Sequence, residues 1–280
     1  MTLLPPLRRA ALLLLCTLPL AACNYFGSSD DDGGGGGNSD AQGIWNGSLT
    51  SDTLALHMLV APNNELWAMS WSEQYTQVRR MTRGTGSLNG KSFSGTGTTL
   101  GTGDTTAENA TITGTVATGA SFDGNLGQNV TFTSTFNSQY NNAFELGSFA
   151  GTWQGRDSTN SAVNFTIQSN GDLEARFTIS GRPDDCIVRG ALAKPSSGKN
   201  YATLSASFGN ATNCLSQHAG ASMQGVAMRL TEQDKQPLLL VMATNTGKTA
   251  GWFAYARLNA AEVDDETETE TETGTEDKAE

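Results

Sequence analysis

The side chains that most often carry out enzymatic chemistry are scarce in this chain. Its 280 residues include two histidines, His57 and His218, and four cysteines. Neither histidine sits at the spacing of a metal-ligand motif, and a lone histidine on a strand is usually solvated or satisfied by hydrogen bonds. The chain also lacks the Gly-x-Ser-x-Gly motif that exposes a nucleophilic serine. We therefore expect no catalytic residue, no bound metal and no cofactor.

Two segments imitate catalytic motifs. The run Gly86-Ser87-Leu88-Asn89-Gly90-Lys91-Ser92 resembles a phosphate-binding loop, but it has one residue too few between the glycines and no helix follows it. Its Gly-Lys pair recurs as Gly198-Lys199, which favours a hairpin turn at both places. Asp184 and Asp185 would point to opposite faces of a strand, so we predict a turn before Cys186. A hydrolase with two carboxylates brought together by folding is the least favoured alternative.

Charge is concentrated at the two ends of the chain. The net charge is -11, and residues 262–280 alone hold ten acidic side chains against Lys278. Residues 41–261 contain 14 acidic and 14 basic side chains, so the part that can fold is neutral. A neutral fold excludes the basic footprint that nucleic-acid binding requires.

The first residues form a targeting signal. Arg8 and Arg9 precede an apolar run that is too short to span a bilayer. The signal ends in Leu20-Ala21-Ala22-Cys23, which closely resembles the lipobox of bacterial lipoproteins. This resemblance implies that residues 1–22 are a signal peptide and that Cys23 is acylated with palmitate and anchors the protein. Asn24 follows where lipoproteins retained at the inner membrane usually have Asp, which implies the cell outer membrane. An ordinary secretory signal is the alternative.

The segments that flank the neutral region have the composition of unfolded chain. Residues 23–40 contain three consecutive aspartates followed by five glycines, and residues 262–280 alternate Glu with Thr. Such segments bury too little apolar surface to offset the entropy of ordering. We predict a flexible N-terminal tether and a disordered acidic tail.

The remaining cysteines predict a disulfide. By the lipoprotein resemblance, Cys16 leaves with the signal and Cys23 is acylated, which leaves Cys186 and Cys214. An exported chain folds in an oxidising compartment, so we expect these two to be bonded.

The neutral region contains one module twice. The opening Gly-x-Trp-x-Gly occurs at residues 43–47 and again at residues 151–155, and two further landmarks follow at nearly the same offsets. These are residues 64–66 with 171–173, and residues 90–93 with 198–201. The repeat predicts two domains, 41–149 and 150–261.

Each module has the pattern of a β-barrel. Leu173, Ala175 and Phe177 alternate with polar residues, turn residues recur about every dozen positions, and no stretch after the signal has a helical stripe. About eight strand-sized segments per module suit a small antiparallel up-and-down barrel or a two-sheet meander, and we predict an all-β protein of two tandem small antiparallel β-barrels. The opening motif resembles lipocalins, and two tethered barrels resemble bacterial surface lipoproteins; the resemblance implies the fold alone. Glycine and threonine dominate residues 84–127, where we expect a poorly fixed register.

One strand of the first module is a candidate binding surface. If Leu66 faces the core, then Trp67, Met69 and Trp71 face outward, which is costly unless the second module or a partner covers them. The opposite frame, with both tryptophans in the core, is the alternative. A basic cluster follows, which either meets an anionic ligand or is solvated. It consists of Arg79, Arg80 and Arg83.

These features predict a lipid-anchored envelope protein that binds rather than catalyses. Its partner class stays open between a protein, a glycan and a small molecule. An inhibitor or accessory factor of an envelope enzyme is the alternative function.

Overall fold

The computed structural model describes residues 40–50, 54–72, 77–102, 107–127 and 129–259. The predicted signal peptide, the acylated Cys23, the tether up to residue 39 and the acidic tail lie outside the described residues. Among the residues described, no helix is both long enough and apolar enough to cross a membrane.

The first module is a closed antiparallel barrel in which each strand pairs with its neighbours along the chain and the eighth strand pairs with the first. Its strands are β1 (Gly43–Leu49), β2 (Ala55–Val60), β3 (Glu65–Ser72), β4 (Gln77–Asn89), β5 (Ser92–Gly101), β6 (Glu108–Ala117), β7 (Ser121–Leu126) and β8 (Thr131–Asn137). We call it barrel 1.

The second module, barrel 2, repeats this topology and closes by pairing its eighth strand with its first. Two short 3-10 helices, Ser138–Asn141 and Leu146–Phe149, connect the barrels. The predicted all-β fold of two eight-stranded barrels is confirmed. The strands of barrel 2 are β9 (Gly151–Asp157), β10 (Ala162–Ile167), β11 (Asp172–Phe177), β12 (Cys186–Ala193), β13 (Ala202–Phe208), β14 (Ser222–Leu230), β15 (Leu238–Thr244) and β16 (Gly251–Leu258).

The repeated Gly-x-Trp-x-Gly motif begins the first strand of each barrel and places a tryptophan in its core. Trp45 and Trp153 are fully buried, and each indole Nε1 donates to the carbonyl four residues earlier, at 3.0 and 2.9 Å. The second glycine of each motif lies against the closing strand. A Cβ on Gly47 would lie 1.9 Å from the Thr133 carbonyl, and one on Gly155 would lie 1.8 Å from the Tyr255 carbonyl. Glycine is needed there so that the barrels can close.

The other two sequence landmarks fall on equivalent turns. Asn64 and Gly171 stand in the turns between the second and third strands, with φ of 58° and 91°. Gly90 and Gly198 stand between the fourth and fifth strands, with φ of 58° and 66°. The left-handed conformation favours Gly and Asn, which explains why these residues mark the repeat.

The glycine-rich stretch of barrel 1 has a defined register, contrary to the expectation from its composition. β4 and β5 pair continuously from Arg80 with Gly101 to Asn89 with Ser92. Phenylalanines fill the space over the glycines, since a Cβ on Gly86 would lie 2.4 Å from the Phe93 ring. The composition does not reveal this arrangement, because the aromatic residue that covers a glycine lies on the neighbouring strand, as Phe122 on β7 does for Gly114 on β6.

The predicted disulfide joins Cys186 at the start of β12 to Cys214 in the loop between β13 and β14. Both residues are fully buried in the core of barrel 2. The bond therefore ties two connections at one end of barrel 2 to each other.

Candidate binding sites

The aromatic strand of barrel 1 lies against barrel 2. Trp67, Met69 and Trp71 are 1%, 0% and 3% exposed, and they belong to one apolar cluster with residues of β14, β15 and β16. The Trp71 and Tyr255 rings lie 4.4 Å apart. Leu66 belongs to the core of barrel 1, so the three alternate residues Trp67, Met69 and Trp71 face outward from that barrel. Of the two covers expected from the sequence, the second module is the one observed. The prediction that these three residues form a surface for an external partner is corrected, because barrel 2 covers them.

The opposing face comes from the continuous apolar run of β15. Leu239 and Val241 point into barrel 2, whereas Leu238, Leu240 and Met242 join the cluster between the barrels. A strand that is buried on both faces is apolar throughout. This explains why β15 is a continuous apolar run and does not alternate apolar with polar residues.

A β-bulge separates the three arginines. Ser70 pairs with Arg80 but the next residue, Trp71, pairs with Val78, so Arg79 is an extra residue in β4. The extra residue turns Val78 toward the cluster between the barrels and leaves Arg80 facing the barrel interior. Arg79 is exposed. The predicted basic cluster is therefore not one site, because its members point in different directions.

Arg83 is fixed at the junction of the barrels. Its guanidinium contacts the Glu65 carboxylate, with Nη2 2.6 Å from Oε1, and Nη1 donates to the Thr244 hydroxyl of barrel 2. The guanidinium carbon also lies 4.4 Å from the centre of the Trp67 ring. With 18% of the Arg83 side chain exposed and 21% of Glu65, the pair is partly desolvated.

A groove with a cavity volume of about 540 Å³ runs along the junction, and both barrels contribute to it. Trp67, Glu65 and Arg83 form its barrel 1 side, and the indole Nε1 of Trp67 has no hydrogen-bond acceptor among the described residues. The remaining lining residues combine apolar and polar side chains: Ala61, Pro62, Asn63, Pro195, Ser196, Tyr201, Thr203, Leu204, Gln224, Gly225 and Val226.

A second cavity, of about 350 Å³, opens at one end of barrel 1. Arg80, Leu126 and Val130 line both this cavity and a small pocket that continues into the barrel. We call the two together the Arg80 cup. Their other lining residues are Leu49, Leu56, Ala68, Ser70, Thr82, Thr99, Glu108, Asn109 and Gly127.

His57 lies in the junction, where its Nδ1–H donates to Asn46 Oδ1 at 3.1 Å. Burial lowers the pKa of His57 from its usual 6.5 to about 4, and nearby Arg257 and Lys235 lower it further while Glu232 opposes them. His57 is therefore neutral at pH 7.

His218 lies in barrel 2, at the end tied by the disulfide. Its Nε2–H donates to the Gly251 carbonyl at 3.1 Å, and burial lowers the pKa of the ring. Nearby in the fold, burial raises the pKa of Asp157 to about 6, against hydrogen bonds from Thr159 and Ser161. In the described part of the chain, no group of three or more His, Cys, Asp or Glu side chains is placed to hold a metal ion.

Comparison with known proteins leaves the family open. No protein-family model and no curated protein sequence matches the chain. Two crystal structures are similar to it in part. Transferrin binding protein B, isotype 1, from serogroup B Neisseria meningitidis aligns with 74% of this chain at 8% identity and a TM-score of 0.32. This chain covers 66% of that protein, slightly less than two thirds of its length.

The second structure is a protein of unknown function from the DUF3598 family of Nostoc punctiforme. It aligns with 78% of this chain and 96% of its own at 9% identity, with a TM-score of 0.25. TM-scores this far below 0.5 do not establish a shared fold, so neither match assigns a family or a ligand.

Proposed function

We propose that this protein is a non-catalytic binding module of the bacterial cell envelope, anchored to the outer membrane through Cys23, and that it takes a small polar ligand in the groove between its barrels. The observation that carries the proposal is the groove itself. Its cavity volume of about 540 Å³ falls within the range of about 300 to 1,000 Å³ that is typical of ligand pockets.

The groove offers an ordered set of polar groups on an apolar floor. Glu65 and Arg83 hold each other in place. Since both side chains are already ordered, a ligand that bonds to their remaining donor and acceptor atoms costs little further side-chain entropy. Trp67 adds a buried N–H donor without an acceptor among the described residues. An unmade buried hydrogen bond costs about 1 to 3 kcal/mol, which a ligand acceptor would recover.

The packing around the two repeated tryptophans favours the groove over the surroundings of these tryptophans as the ligand site. Trp45 and Trp153 are both fully buried in packed cores, and each indole N–H is already satisfied by a backbone carbonyl. Since the aromatic strand is also covered, the groove is the place where Trp67 can still contribute to binding.

Binding is tested by thermal unfolding of the full-length chain in detergent with a panel of amino acids, dipeptides, monosaccharides and disaccharides. A ligand that binds the folded state raises the unfolding midpoint. Thr203→Trp fills the groove, and Thr111→Trp places the same bulk on an exposed strand outside it. We expect a probe to stabilise the wild type and T111W but not T203W. Equal stabilisation of both variants, or no stabilising probe, would contradict the proposal.

The anchor is tested separately in a Gram-negative host fed an alkyne analogue of palmitate. We expect the wild type to carry the label and Cys23→Ala to remain unlabelled and unprocessed. Label on C23A would refute acylation at this residue. Protease treatment of intact cells then distinguishes display on the surface from a periplasmic orientation.

A further inference from the structure

We propose that the Arg80 cup of barrel 1 is a second binding site, separate from the groove, which takes a small oxyanion of the carboxylate or phosphate class. The cup holds a half-buried guanidinium together with hydroxyl groups, the two kinds of donor that proteins use for such anions.

The fold creates the cup by a substitution between the repeats. Followed along the strand pairings from the repeated tryptophan, one pair in barrel 2 is Val188 opposite Phe208, two apolar side chains that help to fill the interior. The corresponding pair in barrel 1 is Thr82 opposite Thr99. The smaller Thr99 does not occupy the space that Phe208 fills, and Arg80 borders a cavity of about 350 Å³ there.

The donors in the cup are available to a ligand. Among the described residues, no carboxylate lies within ion-pair distance of the Arg80 guanidinium. Ser70, which pairs with Arg80 across the sheet, is 3% exposed and its hydroxyl has no hydrogen-bond partner among the described residues. The hydroxyls of Thr82 and Thr99, 2.9 Å apart, share a hydrogen bond beside them, so one of the two retains a free proton.

The positions of the two charges in the cup favour an anion over a cation. Glu108 also lines the cup, but it is exposed, whereas Arg80 is partly buried between Ser70 and Gly101. Solvent screens an exposed charge more than a partly buried one. The field inside the cup is therefore dominated by Arg80, and Glu108 weakens it.

The test is isothermal titration calorimetry of the full-length chain with inorganic phosphate and, in a second series, with acetate, at constant ionic strength and pH 7. We expect saturable binding of at least one of the two anions. Arg80→Gln should weaken it at least tenfold, while Arg79→Gln, which removes the same charge from the exposed neighbour, should change it less than twofold.

Two further variants keep the test decisive if R80Q folds poorly. Glu108→Gln removes the opposing charge and should tighten anion binding about threefold, an outcome that misfolding cannot produce. The groove-filling T203W should leave anion binding unchanged, which separates this site from the groove. Equal losses in R79Q and R80Q, unchanged binding in R80Q and E108Q, or no saturable binding of either anion would overturn the proposal.

Discussion

The two barrels share one topology but differ at one end. Barrel 2 is closed there by an apolar interior, in which Phe208 lies 5.5 Å from the Trp252 ring and 4.9 Å from the His218 ring, and by the Cys186–Cys214 disulfide. At the corresponding end of barrel 1 the interior is lined by Arg80 and hydroxyl groups. The contrast shows that one topology accommodates two interiors: barrel 2 is filled with apolar side chains and cross-linked at this end, whereas barrel 1 keeps a polar opening.

On their outer faces, by contrast, the two barrels depend on each other. β3 and β15 are apolar on both faces, one face for the barrel interior and one for the junction. An isolated barrel would expose this second face to water. We therefore expect the two barrels to unfold as one unit unless a substitution weakens the junction.

The largest effect is expected from Trp71→Ala, which removes the buried ring that packs on Tyr255 across the junction. Truncating a buried tryptophan costs about 3 to 5 kcal/mol. Guanidinium unfolding followed by circular dichroism should show a lower midpoint and, as the barrels uncouple, two transitions in place of one. Thr133→Ala, on the exposed outer face of β8, is the control. A wild-type midpoint for W71A would mean that the junction does not stabilise the fold.

The disulfide should matter for barrel 2 alone. It closes a loop of 28 residues, for which chain entropy predicts a stabilisation of about 3 to 4 kcal/mol. In the W71A background, where the transitions separate, replacing Cys186 and Cys214 by Ala should lower one midpoint and leave the other in place. Equal shifts of both transitions would show that the barrels remain coupled.

Acidification should weaken the junction through His57. The folded-state pKa is about 4 and the unfolded value is 6.5, so the unfolded chain binds more protons between these values and stability falls as pH decreases from 6.5 to 4. The full difference corresponds to about 3 kcal/mol. His57→Gln keeps an amide donor for Asn46 but cannot be protonated, so its stability should fall less between pH 7 and pH 4.5.

The comparison with H57Q isolates this residue, because His218 and Asp157 titrate in both proteins and their contributions cancel. Parallel loss of stability in the wild type and in H57Q over this range would rule out His57 as the cause.

The smallest effects test the equivalence of the repeats. Gly90 and Gly198 both have positive φ. A Cβ added at Gly90 would have no heavy atom within 4 Å, and one added at Gly198 would lie 3.7 Å from its nearest neighbour. An alanine at either position would therefore strain the backbone without a steric clash. Each Gly→Ala change should cost about 1 kcal/mol in thermal or denaturant unfolding. A clear difference between the two would show that the turns are equivalent in sequence but not in energy.

Much of the architecture was predictable because it depends on local patterns. The Gly-x-Trp-x-Gly motif, the alternation in β11 and the turn residues Asn64, Gly90, Gly171 and Gly198 all reflect backbone geometry within a few residues. The pairing of Cys186 with Cys214 was predictable because the lipoprotein resemblance accounts for the other two cysteines and leaves one pair. These features need no knowledge of what lies across the barrel.

The binding sites were less predictable because they depend on contacts between distant residues. Sequence alone grouped Arg79, Arg80 and Arg83 as one basic cluster, since a single extra residue in β4 leaves no mark in composition. Likewise, the alignment of the two repeats predicted that Trp67 faces outward from barrel 1. It did not predict the groove that Trp67 lines.

The sequence by itself determined the number of barrels, their strand order and the residues that turn the chain, because strand alternation and positive φ are properties of short segments. Only the tertiary structure decided which apolar face covers which, and which arginine faces a cavity. Those outcomes depend on the register of strands and on the docking of two closed barrels. One bulge in β4 redirects a side chain, and Thr99 in place of Phe208 leaves room for a cavity.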